Sequence, residues 1–427
     1  LAALGPFRGL RFNPELVKLG GVLSPPYDVI DPAAQEALYS RDMRNVVRLE
    51  LGLDYEDDAR GVRDRYTRAR EHLESWIALG ILECDPEPAF YVSTHSFTTP
   101  AGVELTRRGV FGLVPAAPWE RSELRPHERT LRAPKEDRLQ LLRATRLQVS
   151  SVFVVAAGAQ GLDERLHTLT TGEGLLGGRT QGELGPEKHV LWRRGSASEL
   201  EQLRAALATA TLYVADGHHR YETAVAYADE RRRTEPERPA EAPSYAWCLV
   251  HVVPAEDPAL TILPTHRLVR PGPGVAHSLD DLWARLDDAF EVEPVADAAA
   301  GLARCAALRD ERHAFCVIAH DGVAVLHRTR RGGGTARERL DVTVLEEEVL
   351  VPAGVGPEAI AGGALTYTRD AGGIAAAVRR GDAVLGFAVN PVSVAEVIAV
   401  AEAGETMPQK STYFYPKVPA GMVMHRM

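Results

Sequence analysis

Thr211-Leu-Tyr-Val-Ala-Asp216-Gly-His-His-Arg220-Tyr-Glu-Thr-Ala-Val-Ala-Tyr227 is the most informative stretch of this 427-residue chain. Its apolar run, Leu212 to Ala215, predicts a short buried strand. Asp216-Gly217 ends that strand, because glycine lets the backbone turn sharply and approach a ligand closely. Tyr221, Val225 and Ala228 then recur at helical spacing, so a helix is expected to open at or just after His218. Strand, tight turn and helix start thus crowd Asp216, His218, His219 and Arg220 at one junction. A helix N-terminus offers free N–H groups and a partial positive charge, both of which favour phosphate. Two imidazoles and a guanidinium add charge-assisted donors. A plain turn needs only the Asp-Gly pair; four functional side chains tip the reading towards an anion site for the phosphates of a nucleotide. A metal held by His218 and His219 alone is disfavoured, since adjacent side chains diverge on regular structure and neither HExxH nor CxxC occurs.

Working outward, the length allows two or three domains with a sizeable core. Hydrophobic residues at 45% and charged residues at 25% are ordinary for a soluble globular protein. A net charge of -10 argues against broad nucleic-acid binding. Cys84, Cys248, Cys305 and Cys316 are scattered without a paired motif, which suits a reducing compartment better than a disulfide framework. No apolar span is long enough for a membrane and no signal-type N-terminus is present. The expected location is the cytoplasm, with no membrane partner; a homo-oligomer is compatible with the composition.

The pattern predicts an α/β protein with mixed sheets in three segments. Residues 1–120 carry a stiff Ser24-Pro-Pro-Tyr-Asp28 stretch and a helix capped by Asp31 with Pro32 at its first position. Asn45 to Leu51 alternates as a strand would, and Val62 to Trp76 marks a helix face ending at Gly80. Two strands flank Pro100-Ala-Gly102. Residues 121–253 hold Leu124-Arg-Pro-His127-Glu128, a helix from about Pro134 to Leu147, a strand at Ser150–Val155 and a helix at Ser196–Leu207. The glycine-rich stretch Gly158–Gly185 is expected to be a long loop or flap, and Tyr245–Val253 a closing strand. Residues 254–427 carry a helix from Ser278, a hairpin at Asp321-Gly322, and a helix at Val342–Leu350 with Glu346-Glu-Glu348 solvated. A strand at Leu385–Val389 and a helix stopped at Gly404 follow. Last comes Met407-Pro-Gln-Lys410-Ser-Thr-Tyr-Phe-Tyr-Pro416-Lys417. This proline-bounded loop suits an anion and a flat ring, or else packs its aromatics into the core. Lys410-Ser-Thr lacks the glycines of a P-loop.

Three strings, Ser24-Pro-Pro-Tyr-Asp-Val-Ile, Asp216-Gly-His-His-Arg-Tyr-Glu-Thr-Ala and Met407-Pro-Gln-Lys-Ser-Thr-Tyr-Phe-Tyr-Pro-Lys, make the whole chain resemble the domain of unknown function 1015 family. The middle segment, with Pro126-His-Glu128, helix, strand and then Asp216-Gly-His-His-Arg, resembles the ParB/sulfiredoxin-like fold and within it the free serine kinases. That resemblance implies a ParB/sulfiredoxin-like nucleotide-binding module embedded between N-terminal and C-terminal α/β segments. It further implies a phosphotransferase that uses ATP or ADP with Mg2+ to phosphorylate the hydroxyl of serine or a similar small hydroxy compound, reversibly. Carried over, Glu128 is the general base, Asp216 a magnesium ligand, and Asp216, His218, His219 and Arg220 the phosphate and metal site, with His219 catalytic. Gly217, Lys410, Ser411 and Thr412 join the nucleotide site. Asp28, Arg48 and His127 are candidates for the amino-acid or hydroxy-acid substrate, whose carboxylate wants a guanidinium fork.

The same anion site would serve a ParB-like nucleotide-binding regulator, or a phosphoserine phosphatase with water as acceptor. Sulfiredoxin-like repair would need a reactive thiol, and Cys248 lies nearest in sequence.

Overall fold

The computed structural model describes residues 4–128, 132–234, 242–286, 288–330 and 332–427. It divides into two compact units: Leu1–Pro126, Thr130–Thr261 and Pro416–Met427 form the first, and His127–Arg129 with Ile262–Tyr415 the second. The mixed α/β class expected from the sequence is what the chain adopts. No described helix is long and apolar enough to cross a membrane.

The first unit includes helices α1 (Pro32–Arg41), α2 (Val47–Glu50), α3 (Arg65–Ala78) and, later, α4 (Arg132–Thr145). Asp31 caps α1 as expected, accepting from Ala34 N, and Asp64 forms a reciprocal capping box at α3. The centre is an eight-stranded sheet. Its strands are β1 (Phe90–Thr98), β2 (Glu104–Pro115), β3 (Leu124–Arg125), β4 (Val152–Ala157), β5 (Leu176–Gly182), β6 (Gly185–Arg194), β7 (Thr211–Asp216) and β8 (Trp247–Pro254). They lie in the order β3-β7-β4-β8-β2-β1-β6-β5. β1 and β2, from the first predicted segment, pair with β6 and β8 of the second, so those two segments share one sheet. The pairings β7–β3 and β8–β4 are parallel and the others antiparallel.

One face of this sheet is apolar. Val92, Val110, Val152, Val154, Leu212, Val214 and Val250 pack against α5 (Leu162–Leu169), α6 (Ala197–Leu207) and α7 (His218–Thr234) through Leu162, Leu166, Leu203, Leu207, Tyr221 and Ala224. Each such leucine contributes about 1.5–3 kcal/mol of burial. The other parity of the same strands places His95, Arg107, His189 and His251, all buried. The C-terminal residues fold into this unit. Arg107 Nη2 donates to Pro416 O at 2.8 Å, Ala420 N to Ser24 O at 2.9 Å, and His425 pairs with Gln148.

Two expectations are corrected here. Asn45–Leu51 is not a strand: it contains α2. Asn45 Oδ1 accepts from Val47 N and its Nδ2 donates to Gly21 O and Leu23 O, so the side chain caps a turn instead of standing on a pleat. The alternation read there came from burial of Val47 and Leu49 on a single helical turn. Gly158–Gly185 is not a loop either. Leu162, Leu166 and Leu169 bury one side of α5, and the glycine-rich run that follows is edge strand β5, paired to β6. Small residues suit that edge: a Cβ at Gly178 would meet Gly20 N at 2.6 Å.

The second unit holds a six-stranded antiparallel sheet. β9 (His266–Val269), β10 (Glu291–Pro294), β11 (Arg312–Ala319), β12 (Gly322–Thr329), β13 (Leu365–Thr368) and β14 (Leu385–Val389) lie in the order β10-β12-β11-β14-β9-β13. The hairpin at Asp321-Gly322 joins β11 to β12 as expected. Helices α8 (Ala298–Leu308) and α9 (Ala371–Arg380) cover one face through Cys305, Leu308, Ile374 and Val378, and Leu345, Val349 and Leu350 pack on the other. α10 (Val394–Glu402) starts at a Ser393–Glu396 capping box. The run Leu345–Leu350 is wound as a π-helix, and its glutamates are less solvated than expected. Glu346 is half-buried, with burial pushing its carboxyl up, while Glu347 and Glu348 pair with Arg337 and Arg328.

Candidate functional site

The Asp216 turn forms as the sequence predicts. β7 ends at Asp216 after an irregularity in its pairing with β4, and α7 opens at His218. Between them Gly217 sits at φ 93°, a conformation that a side chain strains. Tyr221 N donates to Gly217 O at 3.0 Å, closing the first helical turn. The helix start is clamped from outside. Tyr221 Oη donates to Ala117 O at 2.8 Å, the Trp119 ring lies 4.5 Å from that of Tyr221, and Trp119 Nε1 donates to Glu222 Oε1 at 2.9 Å.

Asp216 is held between two cations. Its Oδ1 accepts from Lys417 Nζ and its Oδ2 from Arg220 Nη2, each at 2.5 Å. Both pairs are largely buried, with side-chain exposures of 10% for each cation and 14% for the carboxylate. Burial pushes this carboxyl up, but Lys417 and Arg220 outweigh burial and hold it well below the usual carboxylate range. Arg220 Nη1 also donates to Ser151 O. Burial lowers the Arg220 guanidinium, while Asp216, Asp28, Glu50 and Tyr27 together hold it above its ordinary value.

The Ser24–Asp28 string therefore comes to the same place. Tyr27 N donates to Glu50 Oε1 at 3.3 Å, Ser150 Oγ donates to that oxygen, and the Arg138 guanidinium lies 4.2 Å over the Tyr27 ring. Burial, then the charge of Asp28, raises the Tyr27 phenol. Of the predicted residues the first unit thus brings together Asp216, Gly217, His218, His219, Arg220 and Asp28. Arg48 is not brought in. Its guanidinium donates to Asp42 O and Tyr39 O at 2.9 Å each and stacks on Tyr39, so it holds its own loop.

The remaining candidates belong to the second unit. Thr412 Oγ1 lies 3.2 Å from His127 Nε2 and donates to Glu128 Oε1 at 3.4 Å; Met407 N donates to His127 O at 2.8 Å. Within the second unit, His127 and Glu128 thus share one neighbourhood with Met407 and Thr412. Ser411 is buried and donates to Pro408 O at 2.6 Å, whereas Lys410 is exposed with φ 57°. The sequence reading missed Lys417, Glu50 and Tyr27 as site residues. Lys417 closes a string already singled out, and Tyr27 precedes a residue already named, so proximity to quoted motifs was the available signal.

The family profile described as "Protein of unknown function (DUF1015)" matches residues 4–343. The chain belongs to the DUF1015 family. No curated protein gives a significant sequence match. Among solved structures, a free serine kinase mutant in complex with ADP is 12% identical with a TM-score of 0.37, covering 73% of this chain and 92% of its own. A conserved hypothetical protein from Pyrococcus furiosus is 13% identical at 0.34, over 73% and 95%. SbnI with a C-terminal truncation from Staphylococcus aureus is 13% identical at 0.37, over 73% and 85%. Scores this low carry no argument about activity.

What this DUF1015 chain can do chemically follows from its own groups. A helix N-terminus and two cations meet at the Asp216 turn, with His218 and His219 opening the helix, which suits a phosphate. Magnesium is a poor fit to Asp216 as arranged, because both carboxylate oxygens already carry a cationic partner. The carboxylate orients Lys417 and Arg220. Beneath the turn, a cavity of about 40 Å³ lined by Glu50, Arg138, Ser150, Arg220, Thr223 and Cys248 admits a few waters at most. A larger cleft of about 710 Å³ is bordered by Asp54, Asp58, Asp64, Glu136 and Asp137 against Arg60 and Arg65. That sign opposes a polyphosphate. Burial pushes the Cys248 thiol up to about 12, which removes the thiolate that sulfiredoxin-like repair would need.

Proposed function

We propose that this protein is a nucleotide-dependent phosphotransferase acting on the hydroxyl of free serine or a similar small hydroxy compound. The observation that carries the reading is the Asp216 carboxylate aligning Lys417 and Arg220 at the N-terminus of α7. Phosphoryl transfer asks for positioning, neutralisation of phosphate charge and a group to take the hydroxyl proton. The main-chain N–H groups at His218 and His219, with the two cations, supply the first two. His219 donates to the phosphoryl oxygens. Glu128 takes the acceptor's proton in the role its Pro-His-Glu string implies, and Thr412, at 3.4 Å, orients its carboxylate. The acceptor oxygen then bonds to the terminal phosphorus of ATP or ADP while the bridging P–O bond breaks. The same steps reversed would start from the phosphorylated acceptor. Asp28, whose charge acts on Arg220, is assigned to the acceptor.

The test is incubation of purified protein with magnesium, ATP or ADP and a panel of amino and hydroxy acids, with products read by mass spectrometry. A phosphorylated acceptor in wild type, lost in Glu128→Gln and His219→Ala, is the expected result. Absence of product in both directions would sink the proposal.

A further inference from the structure

A second buried constellation lies in the first unit, on the sheet. Register places His95 of β1 directly opposite His189 of β6, and Glu187 two residues away projects on the same side. The two imidazole rings lie 4.2 Å apart between centroids. One carboxylate oxygen, Glu187 Oε2, stands 2.8 Å from His95 Nε2 and 3.8 Å from His189 Nε2. All three donor atoms fall within 4.8 Å of one another, and all three residues are buried. Two ligands each about 2.1 Å from a tetrahedral ion stand about 3.4 Å apart, a value that the two Glu187 contacts bracket.

We propose that His95, Glu187 and His189 bind one divalent transition-metal ion, which clips β6 to β1. The donor set selects the class of ion. Two imidazoles and one carboxylate suit Zn2+ or Fe2+, whereas Mg2+ and Ca2+ want oxygen ligands throughout. Thr180 Oγ1, 2.7 Å from His189 Nε2, places a further oxygen beside the donors. The approach of Glu187 is also built in. A Cβ at Gly182 would meet the Glu187 carboxylate, so a side chain there would push that ligand aside.

One group opposes an added cation. Arg107 Nη2 lies 3.4 Å from His95 Nδ1, but the guanidinium also donates to Pro416 O and feels the charges of Asp257 and Glu187. Glu187, Asp257 and Glu183 offset that guanidinium, which still repels an ion held by charge alone. The site is therefore expected to be selective for a strongly ligating metal, not a general cation sink.

The experiment titrates Zn2+ into chelator-treated full-length protein in the presence of excess Mg2+. Wild type is expected to take up about one equivalent, with an unfolding midpoint that rises with zinc concentration. His95→Gln and His189→Gln should each weaken zinc binding about 100-fold, with far-UV circular dichroism confirming the fold. Gly182→Ala alters no donor, yet should weaken binding about tenfold or more by displacing Glu187; it decides the matter if either histidine variant fails to fold. Uptake below about a tenth of an equivalent by wild type, or wild-type affinity in folded variants, overturns the proposal.

Discussion

Replacing Lys417 by methionine keeps the aliphatic stem and removes the ammonium that Asp216 Oδ1 receives at 2.5 Å. The carboxylate is left largely buried, with Arg220 still paired to it. Breaking a buried pair in this way costs about 3–5 kcal/mol, and the surviving Arg220 contact sets the expectation at the lower end, about 3 kcal/mol. For a unit of this size that lowers the unfolding midpoint by about 6 °C or more. The pH dependence has a definite sign. The folded-state pKa of Asp216 is depressed, so its contribution is fully present above the unfolded value of about 3.9 and is lost as pH falls through the folded value. The gap between wild type and Lys417→Met should therefore be full at neutral pH and shrink by about 1 kcal/mol per pH unit below about 3.9. Chemical denaturation at several pH values reads it. A double-mutant cycle with Asp216→Asn should return a coupling of about 2 kcal/mol. A coupling within about 0.5 kcal/mol of zero, or a gap that widens in acid, would refute the reasoning.

Gly217→Ala places a Cβ at φ 93° and 2.9 Å from the Arg220 guanidinium, so a stability loss of about 1–3 kcal/mol is expected by denaturant unfolding. Thiol labelling of the native protein at pH 8 should modify exposed Cys84 first, while Cys248 and Cys316, both pushed up to about 12 by burial, react only on unfolding; fast labelling of Cys248 would reopen thiol chemistry. Glu128→Gln should lower turnover by about 10²–10⁴-fold while leaving nucleotide affinity within about twofold, because the residue is assigned to proton transfer alone; an equal loss of both would reassign it.

What could be read from the sequence was local. The Asp216 turn was visible because one glycine must accept positive φ and because Tyr221, Val225 and Ala228 repeat on the side of α7 that packs on the sheet. The Asp321-Gly322 hairpin was visible for a similar reason. Asn45–Leu51 misled because two valines and two leucines fit a strand and a buried helical turn equally well, and only the Asn45 contacts to Gly21 and Leu23 decide. The Gly158–Gly185 stretch misled because its edge strand is built partly from glycines, against which another backbone lies. Lys417 pairs with Asp216 across 201 residues, and Glu187 meets His95 across 92; no periodicity carries such distances.

The central claim, that the Asp216 turn is a nucleotide-phosphate site, is tested most directly by titrating ADP with magnesium into wild type and His219→Ala in a calorimeter. The account predicts saturable binding to wild type, displaced by inorganic pyrophosphate but not by adenosine, and weakened about tenfold or more in the variant. Equal affinity in both proteins, or displacement by adenosine alone, would contradict it.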